Sequence, residues 1–283
     1  MNINTVLVTG ATGNQGGWAA KHLAQNGINV LALVRNPESA KAQQLKHENI
    51  QIVKGDLNDP NSYRDYLKKV DGVFSVQAMQ KMEDEISQGV MLADEAKKAG
   101  IKHFVYSSVF ATEMNSGIPH FDSKLQIENH LRKSGLSFTV LRPVSFYENF
   151  LFPQVKKGIY KGKIVHLIPE QVVQQYIGCE DIGKAVVKIF QNPEGFRGKF
   201  IPFAAEELGG KDLVASFSRA LGKPMKYEKL PSLIIRIFIG KNILKMYKWI
   251  EERYRFDPKT ISDTKKEFGE TESLENWVRK NFV

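Results

Sequence analysis

Thr5-Val6-Leu7-Val8-Thr9-Gly10-Ala11-Thr12-Gly13-Asn14-Gln15-Gly16-Gly17 is a β-branched, apolar run that stops at a glycine, with two more glycines at three-residue spacing. An Ala/Leu-rich segment from Trp18 to Gln25 follows and reads as a helix. Strand, tight turn and helix in this order form a pyrophosphate cradle. Gly10 allows the sharp turn, Gly13 lets the backbone approach phosphates, and Gly16 lets the helix pack closely on the strand. The helix start also offers unpaired N–H groups and the positive end of its dipole to an anion.

Beyond this stretch, strand-like runs alternate with amphipathic ones. Asn29–Arg35, Ile50–Val53, Gly72–Val76, His103–Tyr106 and Ser137–Leu141 read as strands, and Glu38–His47, Pro60–Lys69, Glu83–Ala99 and Phe121–Lys133 as helices. Near-continuous apolar strands separated by helices predict an α/β fold with a doubly wound parallel sheet covered on both faces. Ligands of such sheets sit beyond the C-terminal strand ends. Arg35, Asp56, Gln77 and Ser107 all fall at such ends.

Past residue 145 the pattern changes. Aromatic residues cluster in Phe146–Phe152, a Lys/Gly-rich turn region follows, and Ile164–Ile168, Gln174–Ile177, Lys199–Ala204 and Met225–Leu230 read as short strands. Helices are expected from Asp181 to about Phe190 and from Lys211 to Leu221. We therefore expect a domain over 1–150 and a smaller α/β lobe over 151–283, packed on it, with segments returning to the sheet. Leu233–Tyr254 is rich in Ile, Phe, Leu, Met, Tyr and Trp, and its spacing puts Lys241, Lys245 and Lys248 on one helical face. Such a helix packs with a solvated face, closes over an apolar pocket, meets a partner, or lies on an anionic membrane.

With 283 residues, 42% hydrophobic and 25% charged, the chain falls in the range of ordinary globular proteins. It shows neither a secretory leader nor an apolar run near the ~20 residues of a membrane span. Cys179 is the only cysteine, which excludes an intramolecular disulfide and fits a reducing cytoplasm. Residues 1–150 carry 16 basic against 15 acidic side chains, and residues 151–283 carry 24 against 16. The basic second half is either a solvated surface or an attractor of an anionic partner. The absence of helix-turn-helix, zinc-finger and aromatic RNP patterns argues against nucleic acid. No metal site is expected.

Arg35 bears on cofactor choice. An NAD-selective site carries an acid at the end of strand two, whereas here Arg35-Asn36-Pro37 stands there. A guanidinium clamps a 2′-phosphate bidentately, which favours NADP(H); Lys41 is a second candidate. Asp56 either faces the adenine or caps its own turn.

Thr9–Gly16, Arg35-Asn36-Pro37, Gly55-Asp56-Leu57, His120-Phe121-Asp122-Ser123-Lys124, Leu141-Arg142-Pro143, Phe146-Tyr147-Glu148-Asn149 and Leu274-Glu275-Asn276-Trp277 follow in this order. By these motifs the chain resembles the NmrA-like family of atypical short-chain dehydrogenase/reductases over nearly its whole length. The resemblance implies a Rossmann domain binding NADP(H), with a smaller C-terminal lobe. It further implies that Gly10, Thr12, Gly13, Asn14, Gln15, Gly16, Arg35, Asp56, Leu57, Gln77, Lys124, Phe146, Tyr147, Glu148 and Asn149 line the cofactor. Catalytic short-chain reductases pair a tyrosine with a lysine four residues later, and here His120 occupies the tyrosine place before Lys124. Histidine serves as a general acid near neutral pH, and Lys124 can position the nicotinamide; the same spacing also suits two solvent-facing residues on one helical turn. Ser107 or Ser108 matches the family's polar serine, or caps its own backbone. Two functions follow: an NADPH-dependent reductase of a small apolar carbonyl, quinone or enone, or a redox sensor that binds NADP(H) and contacts a protein partner through the basic lobe.

Overall fold

A computed structural model of the chain describes residues 2–78, 81–114, 116–234, 240–253 and 255–283. The chain begins with β1 (Thr5–Val8), α1 (Asn14–Gln25), β2 (Asn29–Val34), α2 (Ala40–Gln43), β3 (Ile50–Lys54), α3 (Arg64–Leu67) and β4 (Gly72–Ser75). It continues through α4 (Met82–Lys98), β5 (His103–Ser107), α5 (Pro119–Ser134), β6 (Phe138–Pro143), β7 (Ser145–Phe146), α6 (Pro153–Tyr160), β8 (Lys163–His166) and β9 (Gln174–Ile177). There follow α7 (Cys179–Gln191), α8 (Pro193–Phe196), β10 (Phe200–Phe203), β11 (Glu206–Leu208), α9 (Gly210–Leu221) and β12 (Lys226–Lys229). The last elements are α10 (Ser232–Ile234), α11 (Lys241–Arg253), α12 (Lys259–Phe268) and α13 (Leu274–Phe282).

Two compact units result. Unit one holds Met1–Asn115, Pro119–Pro143 and Cys179–Ile201, and unit two holds Ser116–Ile118, Val144–Gly178 and Pro202–Val283. The sequence reading set one boundary at 150; the first main break falls instead at Pro143, and residues 179–201 return to unit one. The reason is α7, whose Ile182, Ala185, Val186, Ile189 and Phe190 are buried. This helix approaches α1 so closely that a Cβ on Gly183 would stand 2.7 Å from the Trp18 carbonyl oxygen.

The seven-stranded sheet has the order β10-β6-β5-β4-β1-β2-β3, and β1/β2, β2/β3, β1/β4, β4/β5 and β5/β6 are all parallel pairs. The strands are apolar on both faces because helices cover both. Leu7, Val73, Phe104 and Val140 share one core with Leu92 of α4 and Ile127 and Leu131 of α5. Strand order reverses between β1 and β4, which is where a doubly wound sheet opens its ligand crevice.

Two expected helices of unit one shrink. Only Ala40–Gln43 is helical within 38–47, where Ser39 caps the turn and Ala42 is its one buried residue. The 60–69 segment splits into a short 3₁₀ turn at Pro60–Ser62 and α3. Neither stretch has enough apolar face to hold a longer helix.

Unit two carries a three-stranded sheet, β11-β9-β7, and the parallel pair β12/β8. Tyr147, Phe150, Tyr176, Phe217, Leu274 and Trp277 belong to its core. The expected Lys/Gly-rich turn is instead the helix α6, with Pro153 in its first turn. Ile159 and Val155, one turn apart, pack on that core and fix the helix. Of the basic aromatic segment Leu233–Tyr254, residues 235–239 and Tyr254 lie outside the described residues. Its central part is α11, which buries Ile250 while Lys241, Lys245 and Lys248 stay exposed. No helix among the described residues is long and apolar enough to cross a membrane.

Candidate functional site

In unit one the glycine turn is built as its sequence requires. Gly10 has φ +59°, in the left-handed region open to glycine, and the Gly13 N–H donates to the Gly10 carbonyl at 2.8 Å. A Cβ on Gly16 would lie 2.3 Å from the Gly10 oxygen, so α1 can sit on the turn only with glycine there. Thr9 fixes the turn to the chain after β4: its hydroxyl donates to the Val76 carbonyl at 2.9 Å and accepts the Val76 N–H at 2.8 Å. No side chain caps α1, and no carboxylate occupies its first turn. The helix start thus presents unopposed N–H groups and positive dipole to an anion. Thr12, Gln15 and the exposed Gly13 and Asn14 stand around this terminus.

Strand ends bring further predicted residues to the same edge. Arg35, just past β2, is exposed and forms no ion pair or hydrogen bond among the described residues. Lys41 is exposed on α2. Asp56 caps its own turn, accepting from the Asn58 N–H at 2.9 Å, with Leu57 packed on the core beside it. Gln77 is 5% exposed; its amide nitrogen donates to the Ser75 hydroxyl at 2.9 Å, and its Oε1 is buried with no donor among the described residues. Ser107 donates its hydroxyl proton to Gln15 Oε1, which ties β5 to the first turn of α1. Ser108 instead donates to the buried Glu128, held bidentately by Arg142 at 3.0 and 2.7 Å.

Lys124 is buried and His120 half-buried, so the pair does not simply face solvent. Lys124 is 7% exposed, its ammonium donates to Glu85 Oε1 at 2.7 Å, and Ser123 donates to the other Glu85 oxygen at 2.7 Å. The Lys124 charge also lies 5.8 Å from the Tyr106 ring centre. Burial, helped by the neighbouring Lys124 charge, pushes the His120 imidazole down to about 4, so the ring is neutral at pH 7. His120 Nδ1 is buried with no partner among the described residues. Burial raises Tyr106 well above its ordinary value, and its hydroxyl too is unpartnered among those residues.

In unit two, Phe146 and Asn149 remain partly exposed and Glu148 is buried. Tyr147 is fully buried: its ring lies 6.3 Å from Tyr176 and 5.8 Å from Trp277, and its hydroxyl donates to Glu206 at 2.7 Å. That residue, expected to line a cofactor, is a core residue of its lobe and offers a ligand no surface in this arrangement.

The profile of the NmrA-like family matches residues 2–278. The chain belongs to the NmrA-like family. An NmrA-like family domain-containing protein of Dictyostelium discoideum is 31% identical over 240 residues, covering 79% of each chain. The NAD(P)H azoreductase of Xenophilus azovorans is 29% identical over 224 residues, covering 78% of this chain and 76% of its own. The crystal structure of NmrA, a negative transcriptional regulator, in complex with NADP superposes with a TM-score of 0.81 at 21% identity, covering 100% of this chain and 96% of that one. This last likeness is one of fold.

In this NmrA-like chain, sequence reasoning missed Glu85. Its only signal is its place among Glu83, Asp84 and Glu85 in the first turn of α4, where acids suit the helix dipole. Nothing local distinguishes the one that faces inward to Lys124. No group of three or more His, Cys or carboxylate residues fit to hold a metal occurs among the described residues.

Proposed function

We propose that this NmrA-like protein binds NADP(H) in unit one and reduces a small apolar carbonyl, quinone or enone selected by unit two. The observation that carries the cofactor reading is Arg35: an exposed guanidinium without an ion pair among the described residues, at the strand end where a ribose 2′ substituent is read. The cradle fits the rest of the cofactor. Gly16 cannot bear a side chain, the start of α1 is uncapped, and the buried Gln77 Oε1 lacks a donor such as a ribose hydroxyl or a carboxamide would provide.

When bound, the reduced nicotinamide supplies a hydride. The chain would hold the phosphates with backbone N–H groups of 14–16 and the 2′-phosphate with Arg35. Ser107 keeps Gln15 in place. A carbonyl acceptor also needs a proton at its oxygen. His120 is neutral at pH 7 and therefore relays a proton taken from water rather than storing one. The single cysteine suits a reducing, cytoplasmic setting.

Changing Arg35→Asp tests the cofactor reading. We expect NADPH to bind about 100-fold more weakly, or about 2.7 kcal/mol, with NADH affected by less than about threefold. Equal losses for both nucleotides overturn the 2′-phosphate assignment.

The second reading, a cofactor-binding sensor acting on a protein partner, is favoured by one observation: Lys124 is engaged by Glu85 beside a neutral His120, leaving that pair without a ready acid at pH 7. A screen of NADPH consumption over quinones, aldehydes and enones separates the two. Turnover supports the reductase; tight NADPH binding with no turnover on any acceptor supports the sensor.

A further inference from the structure

Strand alternation on β9 puts Gln174 and Tyr176 on one face and Gln175 on the other. Both side-chain N–H groups of Gln175 are used, donating to Glu207 at 3.1 Å and to the Asp257 carbonyl at 2.9 Å. Gln174 is 1% exposed, and its amide nitrogen has no acceptor among the described residues.

The orientation of that amide follows from the row of hydrogen bonds leading to it. The Ile168 N–H donates to His166 Nδ1 at 3.3 Å. Burial pushes this imidazole down to about 4, so it is neutral, and its one proton must then lie on Nε2. His166 Nε2 is 3.3 Å from the Tyr176 hydroxyl and donates to it. The hydroxyl proton in turn goes to Gln174 Oε1 at 3.0 Å. Exchanging the Gln174 oxygen and nitrogen would either reverse the row and set a protonated Nδ1 against the Ile168 N–H, donor against donor, or leave the Tyr176 hydroxyl accepting twice with its own proton unplaced. The backbone at Ile168 therefore favours the orientation with the amide donors at the far end of the row.

A buried donor left without an acceptor is destabilising, and the polarised row feeding it makes it a stronger donor. Its surroundings limit what can answer it. Tyr227 stacks on His166 at 5.9 Å and donates to the Ile168 carbonyl at 2.8 Å, and Tyr247 of α11 meets the same imidazole edge-on at 6.3 Å. No charged side chain hydrogen-bonds to a member of the row among the described residues. The row itself is neutral and offers a carboxylate or phosphate no counter-charge, and the rings packed at its His166 end are aromatic, which suits a flat neutral ligand.

We propose that Gln174 is the selecting donor of a ligand site in unit two, its side-chain N–H taking a lone pair from a neutral, flat, carbonyl-bearing molecule. That the molecule is also the hydride acceptor rests on the reductase reading; its binding does not. In the arrangement described the amide is sealed, so binding displaces a covering side chain. Tyr247 on α11 already covers the His166 end of the row.

The test uses the full chain and two probes of one shape, naphthoquinone and naphthalene. Wild-type protein is expected to bind naphthoquinone about tenfold more tightly, the order of one hydrogen bond to an otherwise unsatisfied donor. Gln174→Glu, which keeps an acceptor for Tyr176, and Gln174→Met should each bring that ratio to about twofold or less. Should neither variant fold, nitrogen-15 NMR of the wild type decides: the Gln174 side-chain amide signal should move with naphthoquinone and stay with naphthalene. Equal affinities for the two probes, or an unmoved amide signal, overturn the proposal and leave water as the acceptor. Selective binding without NADPH oxidation would sink the reductase reading and leave Gln174 standing; NADPH oxidation by naphthoquinone with an unmoved amide would do the reverse.

Discussion

Lys124 shows how a residue's neighbours set its chemistry. The Lys124 and Glu85 side chains are both buried and their charged groups lie 2.7 Å apart, so each holds the other's charge inside unit one. Removing one partner leaves an uncompensated buried charge. We expect Glu85→Ala to destabilise the protein by about 3 to 5 kcal/mol, read as a lower denaturant midpoint. The paired change Glu85→Leu with Lys124→Met should recover most of that loss. If the double variant is no more stable than Glu85→Ala, the two charges do not act as a pair. The His120/Lys124 motif was legible from its spacing, but its burial was not, because Glu85 comes from another helix, 39 residues back. Asp56 illustrates the opposite case. Turn capping was one of its two readings, and the Asn58 contacts that realise it are only two residues away.

Elements were legible where one apolar face or one glycine dictates them. The run Thr5–Val8, the turn at Gly10 and helix α1 follow from the twenty-one consecutive residues Thr5–Gln25. The helices at 40–43 and 64–67 were overestimated because their polar sequence suits a helix locally while little of it is buried. Helix α6 was missed because lysines and a glycine mask Val155 and Ile159, which become an apolar face only when the core of unit two is present. Gly16 supplies the prediction at this scale. An added methyl meets the Gly10 oxygen at 2.3 Å, the Gly10 carbon at 2.5 Å and the Thr9 oxygen at 2.7 Å, all backbone. Gly16→Ala must therefore move α1 off the turn, at a cost of about 1 to 3 kcal/mol. Calorimetry should show a lower melting temperature and isothermal titration a loss of NADPH affinity. Gly13 has a single backbone contact at 3.2 Å, so Gly13→Ala should disturb the melting temperature less.

Across the whole molecule the alternation of strands and helices indicated a doubly wound sheet to which later segments return, but neither its strand order nor the identity of the returning segments, α7 and β10, was legible. Those depend on pairings across long stretches of chain, such as the close approach of Gly183 to Trp18. The same burial that hides these pairings leaves a signature in acid. His103, His120 and His166 are each pushed down to about 4, in every case chiefly by desolvation. In the unfolded chain they take up protons near the ordinary value of about 6.5. Below that pH the unfolded state binds more protons than the folded one, so stability falls as pH drops from about 6.5 toward 4 and is complete only above this window. At pH 5 each of these histidines can account for up to about 2 kcal/mol. Urea denaturation at pH 7 and pH 5 should show a clear loss, and His103→Asn or His166→Phe should each flatten the dependence. His103 offers the sharper comparison: its two nitrogens meet the Ser137 and Thr139 hydroxyls at 2.9 and 2.8 Å, and because Thr139 donates to the Phe196 carbonyl at 2.9 Å, Nε2 carries the proton and Nδ1 accepts from Ser137 in the neutral ring, a bond that a second proton would cost. A denaturation midpoint unchanged between pH 7 and pH 5 in the wild type would mean that these imidazoles are hydrated in the native protein, contrary to their burial.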